Sequence, residues 1–486
     1  MSSIRKQTIY SLFWKLLERA GRASIELVVQ IVLARLLLPE QFGALAIMLV
    51  FVNVGNVIVQ SGLSTALIQD PEANLDDFST VFWMSLSVSL ALYAAVFFSA
   101  PSIATFYSEP ELTGPLRVIC VIYVINALNS VQVAKVTRDL DMQKIFIATL
   151  VASGVSAISG IGAAFAGLGL WALVLQQVTY QLSNCLSMSV QVNWSPSFVF
   201  NPRRARKLLG FGWSLLVSGL LDQGYSSLSD LIIGKQFSPT ALGLVSQGKK
   251  YPMAIGSMLD GAIQPVMLSA VSRVQDNRAY VKTMVRRALK TSTYLITPSM
   301  TLFACCAPSF VPFLLGEQWA SSVPYLQIYC FVYALLPIHT SNLQALNGMG
   351  RSDLFLKLEL IKKSYGIATL LICAFGFKDV NLLVASYLVT GVIGTFVNAW
   401  PNKRVIGYSY LEQVRDIAPA FLLSAVASAP ALAVGSLGLG AWETVLLQAL
   451  SFVATYLGLS ALLHLEELSY IVSTARELIG DARARS

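Results

Sequence analysis

Charged residues are scarce in this chain. Only 34 Lys and Arg and 26 Asp and Glu occur among 486 residues, which is 12%, whereas soluble domains carry about 25%. This shortage excludes a disordered chain, a coiled coil and an ordinary cytosolic enzyme. Because 55% of the residues are hydrophobic, a polytopic membrane protein is the class that remains.

Motifs for catalysis and metal binding are also missing. The sequence contains no Walker A and no GxSxG element, so neither ATP hydrolysis nor acyl transfer is indicated. The six cysteines lie in apolar segments without CxxC spacing, which is typical of small buried hydrophobes. No cluster of His, Cys and carboxylates predicts a metal site. We therefore expect no enzyme, no metal and no cofactor, while coupling to a proton or sodium gradient stays open.

Long uncharged runs fill most of the sequence, and each is long enough for the about 20 apolar residues that one membrane-spanning helix needs. The fold class we predict is an all-α polytopic membrane protein with about fourteen helices, since lipid cannot satisfy the polar groups of other backbones. The predicted helices lie near 9–37, 41–69, 79–107, 113–137, 143–168, 169–192, 207–236, 239–274, 284–313, 318–349, 353–375, 380–402, 411–435 and 441–465.

The distribution of basic residues predicts the orientation of these helices. If the N-terminus is cytoplasmic, 28 of the 34 Lys and Arg fall at cytoplasmic helix ends. The positive-inside rule then places both termini in the cytoplasm. The net charge of +8 is explained by loops against an anionic leaflet, so nucleic acid is not an expected partner.

The two halves of the chain resemble each other. The run from Ala34 to Gly43 resembles the run from Gly234 to Gly243 at an offset of 200, and Tyr123 recurs as Tyr333 in the same order along the chain. The repeated unit contains six helices, so both copies enter the membrane in the same orientation, as in transporters with parallel repeats. The predicted domains are an N-terminal lobe at 1–200, a C-terminal lobe at 201–405, two additional helices at 406–466 and a cytoplasmic tail at 467–486.

Polar side chains interrupt several of the predicted helices, where an ionisable group costs about 2.5–3.5 kcal/mol on insertion scales. In the first helix, the spacing of Lys15, Arg19, Arg22 and Glu26 puts these four residues on one face. We expect the leading helices of both halves to converge on one cationic cavity that binds an anionic group such as phosphate or carboxylate. The candidate cavity cations are Lys15, Arg19, Arg22, Lys249 and Lys250, and the candidate polar residues are Glu26, Asn53, Asn56, Gln60, Asn129, Ser218, Asp222, Asp230, Asp260 and His339.

Structural roles for these residues stay open at this point. Lys15 and Arg19 either line the cavity or extend to the cytoplasmic interface, and Arg22 and Glu26 either bind substrate or form an inert pair. His339 fits an interhelical hydrogen bond better than a proton relay. Lys249 and Lys250 are the hardest to explain structurally, because they lie about ten residues inside a predicted helix without an adjacent acid.

Several segments resemble the polysaccharide-export flippases, in particular the colanic-acid-exporter branch of the Wzx-type proteins within the multidrug/oligosaccharidyl-lipid/polysaccharide superfamily. These segments are the first helix with Lys15, Arg19 and Arg22, the run from Leu33 to Ala46, the run from Gly62 to Gln69, the run from Arg138 to Lys144, and the run from Ser246 to Pro252. The likeness covers nearly the whole chain.

This resemblance implies two six-helix lobes that form a V, with a central cavity open alternately to each side of the bacterial inner membrane. It implies flipping of oligosaccharide repeat units linked to undecaprenyl pyrophosphate, with membrane lipids and a polysaccharide polymerase or export machinery as partners. Arg19, Arg22 and Lys250 are then the best candidates to engage the pyrophosphate or acidic sugars. Two alternatives are an ion-coupled drug or metabolite antiporter of the same superfamily, with Asp222, Asp230 or Asp260 as its coupling carboxylate, and a glycan polymerase, which the short predicted outer loops disfavour.

Overall fold

A computed structural model describes residues 2–60, 62–70, 72–473 and 476. Within its helices, the side chains at 2–9, 12, 13, 16, 20, 211, 214, 215, 259, 260, 262, 263, 265, 266 and 352 lie outside this description. All regular structure in these ranges is helical, which confirms the predicted all-α fold class.

The chain forms eighteen α-helices over the described residues, with short 3-10 and π segments between some of them. Their bounds are α1 (Ser2–Leu36), α2 (Pro39–Gln60), α3 (Leu63–Gln69), α4 (Leu75–Tyr107), α5 (Thr113–Ile119), α6 (Ile122–Arg138), α7 (Met142–Phe165), α8 (Leu170–Gln191), α9 (Pro202–Gln236), α10 (Pro239–Arg273), α11 (Arg278–Leu315), α12 (Val323–Ala334), α13 (Leu336–Gly348), α14 (Ser352–Leu371), α15 (Val380–Ala399), α16 (Asn402–Val405), α17 (Tyr410–Gly435) and α18 (Ala441–Leu462).

Several helices begin at residues whose side chains accept from the first backbone N–H groups. Asn74 and Asp77 form a reciprocal capping box at the start of α4, and Ser409 and Glu412 form another at α17. Asn201 caps α9, whose first residue is a proline. Such caps fix where a membrane helix leaves the aqueous layer, because the first four N–H groups have no partner inside the helix.

Some predicted helices are divided in the structure. Gly62 has a φ of 66°, in the left-handed region, and separates α3 from α2. The predicted helix 318–349 consists of a 3-10 turn followed by α12 and α13. By length and composition, ten helices in the described ranges can cross a membrane, and the chain is a multi-pass membrane protein. The count of fourteen stays a prediction, because α1, α8, α9 and α10 are not among these ten.

The chain divides into two compact units, Met1–Gly243 and Leu244–Ser486. In the first unit, α7 packs against α1 and α8, while α2 packs against α6 and α9. In the second unit, α11 packs against α12, α13, α17 and α18. The lobe boundary at residue 200 and the segments after residue 405 were predicted from the repeat and remain predictions.

One packing contact occurs in both units. In the first, Gly55 of α2 lies directly against the ring of Tyr123 of α6, where a Cβ would overlap the ring. In the second, a Cβ on Gly256 of α10 would lie 3.0 Å from Cδ1 of Tyr333 of α12. Since Tyr123 and Tyr333 are corresponding residues of the predicted repeat, this shared contact supports a duplicated helix arrangement.

The repeated Pro–Gly segments also meet within the first unit. A Cβ on Gly43 would overlap the carbonyl group of Pro239, and a Cβ on Gly243 would overlap the carbonyl group of Pro39. The first turns of α2 and α10 therefore cross with reciprocal contacts. Glycine is required at both positions because only a residue without a side chain lets two helix backbones approach this closely.

Candidate functional site

The polar face of α1 is organised into two ion pairs. Lys15 Nζ lies 2.6 Å from Oε2 of the buried Glu18, and Arg22 Nε lies 3.8 Å from Glu26 Oε2. Arg19, between these pairs, is exposed. Of the four residues that the sequence placed on one face, Arg22 and Glu26 pair with each other while both stay about half exposed, and Lys15 pairs with Glu18.

A polar pocket of about 100 Å³ lies where α1, α7 and α8 meet. Arg22 and Glu26 line it from α1, together with polar residues that the sequence analysis did not select. The described lining is Arg22, Ile25, Glu26, Val29 and Gln30 of α1, Ser153 and Ser156 of α7, and Gln176, Gln177 and Tyr180 of α8. We call this the α1/α7/α8 pocket.

Helix packing positions the walls of this pocket. Gly21 of α1 approaches Phe146 and Leu150 of α7, and Trp14 of α1 packs on the ring of Phe146 with centroids 5.0 Å apart. On the other side, the hydroxyl groups of Ser159 in α7 and Thr179 in α8 form a 2.8 Å hydrogen bond. These contacts fix α1, α7 and α8 in one register, so the pocket lining is preorganised.

The one cation in the described lining of the pocket contacts two neighbours. The guanidinium carbon of Arg22 lies 5.0 Å from the centroid of the Tyr180 ring, a cation–π contact. Its charge is also balanced by Glu26 in the next turn of the helix. The described lining therefore presents a cation together with a carboxylate rather than a cation alone.

Gln176 is one of four buried polar residues that line the pocket, with Gln30, Ser153 and Ser156. Its side chain is 8% exposed, and its Oε1 has no hydrogen-bond partner among the described residues. Gly160 of α7 makes this position accessible, since a Cβ there would lie 2.9 Å from the Cβ of Gln176. Close to it, the buried Ser156 hydroxyl donates to the carbonyl oxygen of Ser153 at 3.0 Å. The arrangement leaves a buried, unpartnered acceptor within a residue that lines the pocket.

The amide residues predicted for the first unit lie apart from this pocket. Asn126 Nδ2 donates to Asn56 Oδ1 at 2.9 Å, and Asn129 Nδ2 donates to Asn184 Oδ1 at 2.8 Å. These bonds join α2 to α6 and α6 to α8. Asn53 and Gln60 are exposed on α2.

The other three predicted site residues of the first unit lie on α9. Ser218 and Asp222 are exposed, and Asp230 is half-buried. Gly219, next to Ser218, packs against Val57 of α2, where a Cβ would lie 3.1 Å from Cγ1. Ser218, Asp222 and Asp230 lie outside the lining of the α1/α7/α8 pocket.

The second unit contains the other predicted residues. Lys249 and Lys250 are half-buried in α10, and the side chain of Asp260 lies outside the described residues. His339 Nδ1 lies 2.9 Å from Asn398 Nδ2, so the imidazole takes part in an interhelical hydrogen bond. The predicted convergence of both halves on one cationic cavity stays a prediction.

A buried amide network in the second unit was missed by sequence reasoning. Asn342 Nδ2 donates to Gln413 Oε1 at 2.7 Å, and Asn402 Nδ2 donates to Asn342 Oδ1 at 2.7 Å. All three side chains are buried, which indicates a structural junction of α13, α16 and α17. In the described part of the chain, no group of three His, Cys, Asp or Glu is arranged to hold a metal ion.

A second pocket of the first unit lies among the connecting segments and has an acidic lining. Glu40, Glu109 and Glu111 line this cavity of about 590 Å³ together with Trp171. Burial raises the pKa of the Glu109 carboxyl, and the negative charges of Glu40 and Glu111 raise that pKa further. The described lining contains no Lys or Arg, so this region does not fit a phosphate site.

Relatives with known names match most of the chain. The succinoglycan biosynthesis transport protein ExoT of Rhizobium meliloti (strain 1021) is 23% identical over 421 residues, 86% of this chain and 83% of ExoT. The lipopolysaccharide biosynthesis protein WzxC of Escherichia coli (strain K12) is 21% identical over 87% of this chain and 86% of WzxC. The teichuronic acid biosynthesis protein TuaB of Bacillus subtilis (strain 168) is 24% identical over 76% of this chain and 77% of TuaB.

Solved structures show the same fold. The lipid II flippase MurJ in an inward closed conformation has a TM-score of 0.74 at 14% identity, over 93% of this chain and 99% of MurJ. An inward-facing multidrug resistance MATE family transporter of the MOP superfamily has a TM-score of 0.62 at 16% identity, over 79% of this chain and 95% of that one. The family described as polysaccharide biosynthesis protein matches residues 32–324, more than half of the sequence. This chain belongs to the polysaccharide biosynthesis protein family.

Proposed function

We propose that this chain flips lipid-linked oligosaccharides across the bacterial inner membrane by alternating access, and is not an enzyme. Undecaprenyl pyrophosphate is the proposed lipid carrier. The observation that carries the proposal is the pair of Arg22 and Glu26 in a polar pocket lined by three helices of an all-helical membrane protein. Ionised groups inside a membrane are costly and mark substrate pathways. Membership of the polysaccharide biosynthesis protein family and the fold shared with MurJ support the same activity.

The family and the pocket suit a hydroxylated substrate better than an apolar drug. An apolar drug would be served by an apolar cavity, whereas the α1/α7/α8 pocket presents amide, hydroxyl and charged groups. The lipid tail needs no pocket, because it remains in the bilayer while the polar headgroup crosses. A polysaccharide polymerase and an export machinery are proposed to receive the flipped product.

Substitution of Arg22 and Lys250 tests this function. In the Arg22→Ala, Lys250→Ala double variant we expect loss of export and accumulation of lipid-linked repeat units on the inner face, because the proposed polar path loses two cations. The measurement is the transbilayer distribution of the repeat unit in cells and in proteoliposomes. Export at the normal rate would contradict the proposed role of these cations.

Arg117→Gln provides a matched control. Like Arg22, Arg117 stacks on an aromatic ring, with its guanidinium carbon 4.3 Å from the centroid of the Phe97 ring, but it lies outside the pocket. We expect normal flipping in this variant. Gradient-driven efflux of a small cationic drug, without any flipping of lipid-linked glycan, would favour the antiporter alternative and refute the proposal.

The proposed topology places both termini in the cytoplasm, as the distribution of Lys and Arg predicts. The six native cysteines are buried, so an added surface cysteine can be labelled selectively. We expect Asn193→Cys to react with a membrane-impermeant maleimide only from the inner face and Ser436→Cys only from the outer face, since both positions are exposed in loops. The opposite pattern of labelling would reverse the proposed orientation.

A further inference from the structure

The chemical groups of the α1/α7/α8 pocket differ from those of a phosphate site. Three amides, from Gln30, Gln176 and Gln177, and two serine hydroxyl groups share the lining with one cation and one carboxylate. Phosphate sites gather several unpaired cations or backbone N–H groups around the anion. A lining dominated by neutral donors and acceptors is typical of sites that bind hydroxyl groups.

The only cation in the described lining lies beside a carboxylate and an aromatic ring. Arg22 is paired with Glu26 at 3.8 Å and stacked on Tyr180 at 5.0 Å. A pyrophosphate would bring at least two negative charges close to the carboxylate of Glu26, and this like-charge repulsion opposes binding. A neutral hydroxyl group avoids this repulsion and can still accept a hydrogen bond from the guanidinium of Arg22.

The Oε1 of Gln176 has no hydrogen-bond donor among the described residues, and a ligand can supply one. This carbonyl oxygen is an acceptor in a side chain that is 8% exposed, and Gly160 allows the side chain to sit this deeply. A buried acceptor without a donor is unfavourable, so a ligand that donates a hydrogen bond is stabilised here. Phosphate groups that are fully ionised accept hydrogen bonds only, whereas a sugar hydroxyl both donates and accepts.

The size of the pocket fits part of a sugar rather than a whole glycan. Its volume is about 100 Å³, which is small beside a whole oligosaccharide. The hydroxyl-bearing edge of one ring can enter, while the rest of the ring stays outside. Ile25 and Val29 of α1 supply apolar surface beside the polar groups, which suits the C–H face of a sugar.

We propose that the α1/α7/α8 pocket is a subsite for the hydroxyl groups of one sugar residue of the cargo, and that the pyrophosphate of the carrier binds elsewhere. In this subsite, sugar hydroxyl groups form hydrogen bonds with the amides of Gln30, Gln176 and Gln177 and accept from the guanidinium of Arg22. This inference rests on the proposed flippase function and assigns one part of its substrate to one site.

Two probes test the subsite with the full chain in lipid nanodiscs. The first probe is undecaprenyl pyrophosphate carrying a single hexose, and the second is undecaprenyl pyrophosphate without sugar. We expect the wild-type protein to bind the glycosylated probe more tightly. Gln176→Leu keeps the size of the side chain but removes its acceptor, and we expect it to weaken binding of the glycosylated probe by about three- to tenfold, the value of one hydrogen bond. Binding of the sugar-free probe is expected to stay unchanged.

Gln132→Leu is the matched control. Gln132 is a glutamine with similar burial in the first unit, 9% exposed, and its Nε2 donates to the Ser189 hydroxyl at 2.9 Å outside the pocket. We expect this variant to bind both probes as the wild type does. Gly160→Ala should reproduce the Gln176→Leu effect, because the added methyl group displaces Gln176.

Every other outcome contradicts the proposed sugar subsite. Equal weakening of both probes by Gln176→Leu would show that the pocket binds the pyrophosphate, and unchanged binding of both would leave water as its only occupant. If the affinity depended on the sodium concentration and not on the presence of a sugar, the pocket would be a cation site instead. The wild-type comparison stands without any variant, so equal affinity for the two probes refutes the subsite even if Gln176→Leu does not fold.

Failure of the subsite differs from failure of the flippase function. If the wild-type protein flipped both probes at the same rate, the proposed sugar subsite would be refuted and the proposed flippase function would be retained. If the protein flipped neither probe, and no lipid-linked oligosaccharide of greater length, the proposed function itself would be refuted.

Discussion

Replacing Gly55 by alanine places a methyl group against the ring of Tyr123, where no space is available. A Cβ at this position would overlap the ring carbons and the hydroxyl oxygen. The ring cannot move without cost, because its hydroxyl group donates a 2.7 Å hydrogen bond to the carbonyl oxygen of Phe51. Overpacking a core costs about 1–3 kcal/mol, and the lost hydrogen bond adds about 1 kcal/mol. We expect Gly55→Ala to lower the free energy of unfolding by about 2–4 kcal/mol.

The assay is denaturant unfolding of the purified protein in detergent, followed by circular dichroism. Gly154→Ala is the control, since Gly154 lies in the membrane helix α7 and a Cβ there would have no neighbour within 4 Å. Alanine is a better helix former than glycine by about 1 kcal/mol, so this control should be neutral or stabilising. If Gly55→Ala were as stable as Gly154→Ala, the close contact with Tyr123 would be refuted.

A double variant distinguishes the clash with Tyr123 from other effects of the Gly55→Ala substitution. In a Tyr123→Leu background the ring is absent, so adding Gly55→Ala should cost little more. The corresponding variant of the second unit, Gly256→Ala, meets Tyr333 at 3.0 Å rather than overlapping it. We expect a smaller loss there, of about 1 kcal/mol.

Two further predictions concern residues outside the proposed substrate site. The raised pKa of Glu109 means that this carboxyl holds its proton more tightly in the folded state, so its favourable contribution is present at acid pH and is lost as the pH rises through that pKa. Glu109→Gln should therefore raise the thermal midpoint at neutral pH, where Glu40 and Glu111 repel the ionised form, and the gain should vanish toward about pH 4; a gain independent of pH would contradict this. Asn342→Ala removes a partner of the buried Gln413 amide and should cost about 2–3 kcal/mol in unfolding titrations, whereas an unchanged midpoint would mean that the network contributes nothing.

The helices could be predicted because their determinants are local. A charge-free run of suitable length specifies a membrane helix, and the predicted helix 79–107 differs from α4 (Leu75–Tyr107) only by its capped first turn. The division at Gly62 depends on a single backbone conformation with a φ of 66°. A hydropathy pattern does not encode this conformation, so the sequence predicted one helix where the structure has α2 and α3.

The site could be predicted only in part. Arg22 and Glu26 stand out in the sequence because ionised residues are rare within apolar helices and their spacing puts them on one face. Gln176 does not stand out, since uncharged polar residues are common in these helices. Its role depends on the approach of Gly160, which follows from the register of α7 against α8 and is not visible in either segment alone.

The two copies of the internal repeat share helix packing but differ in the residues that line the pocket. Both copies keep the glycine–tyrosine contact, so the packing of the leading helices is common to them. At the same offset of 200 that relates the repeated Pro–Gly segments, Arg22 corresponds to Asp222 and Gln30 corresponds to Asp230. The leading helix of the second copy thus carries carboxylates where the first carries a cation and an amide that line the α1/α7/α8 pocket. Because the packing is shared and the pocket chemistry is not, the pocket is a property of the first copy, as expected when a duplicated scaffold binds a substrate whose lipid and glycan ends differ.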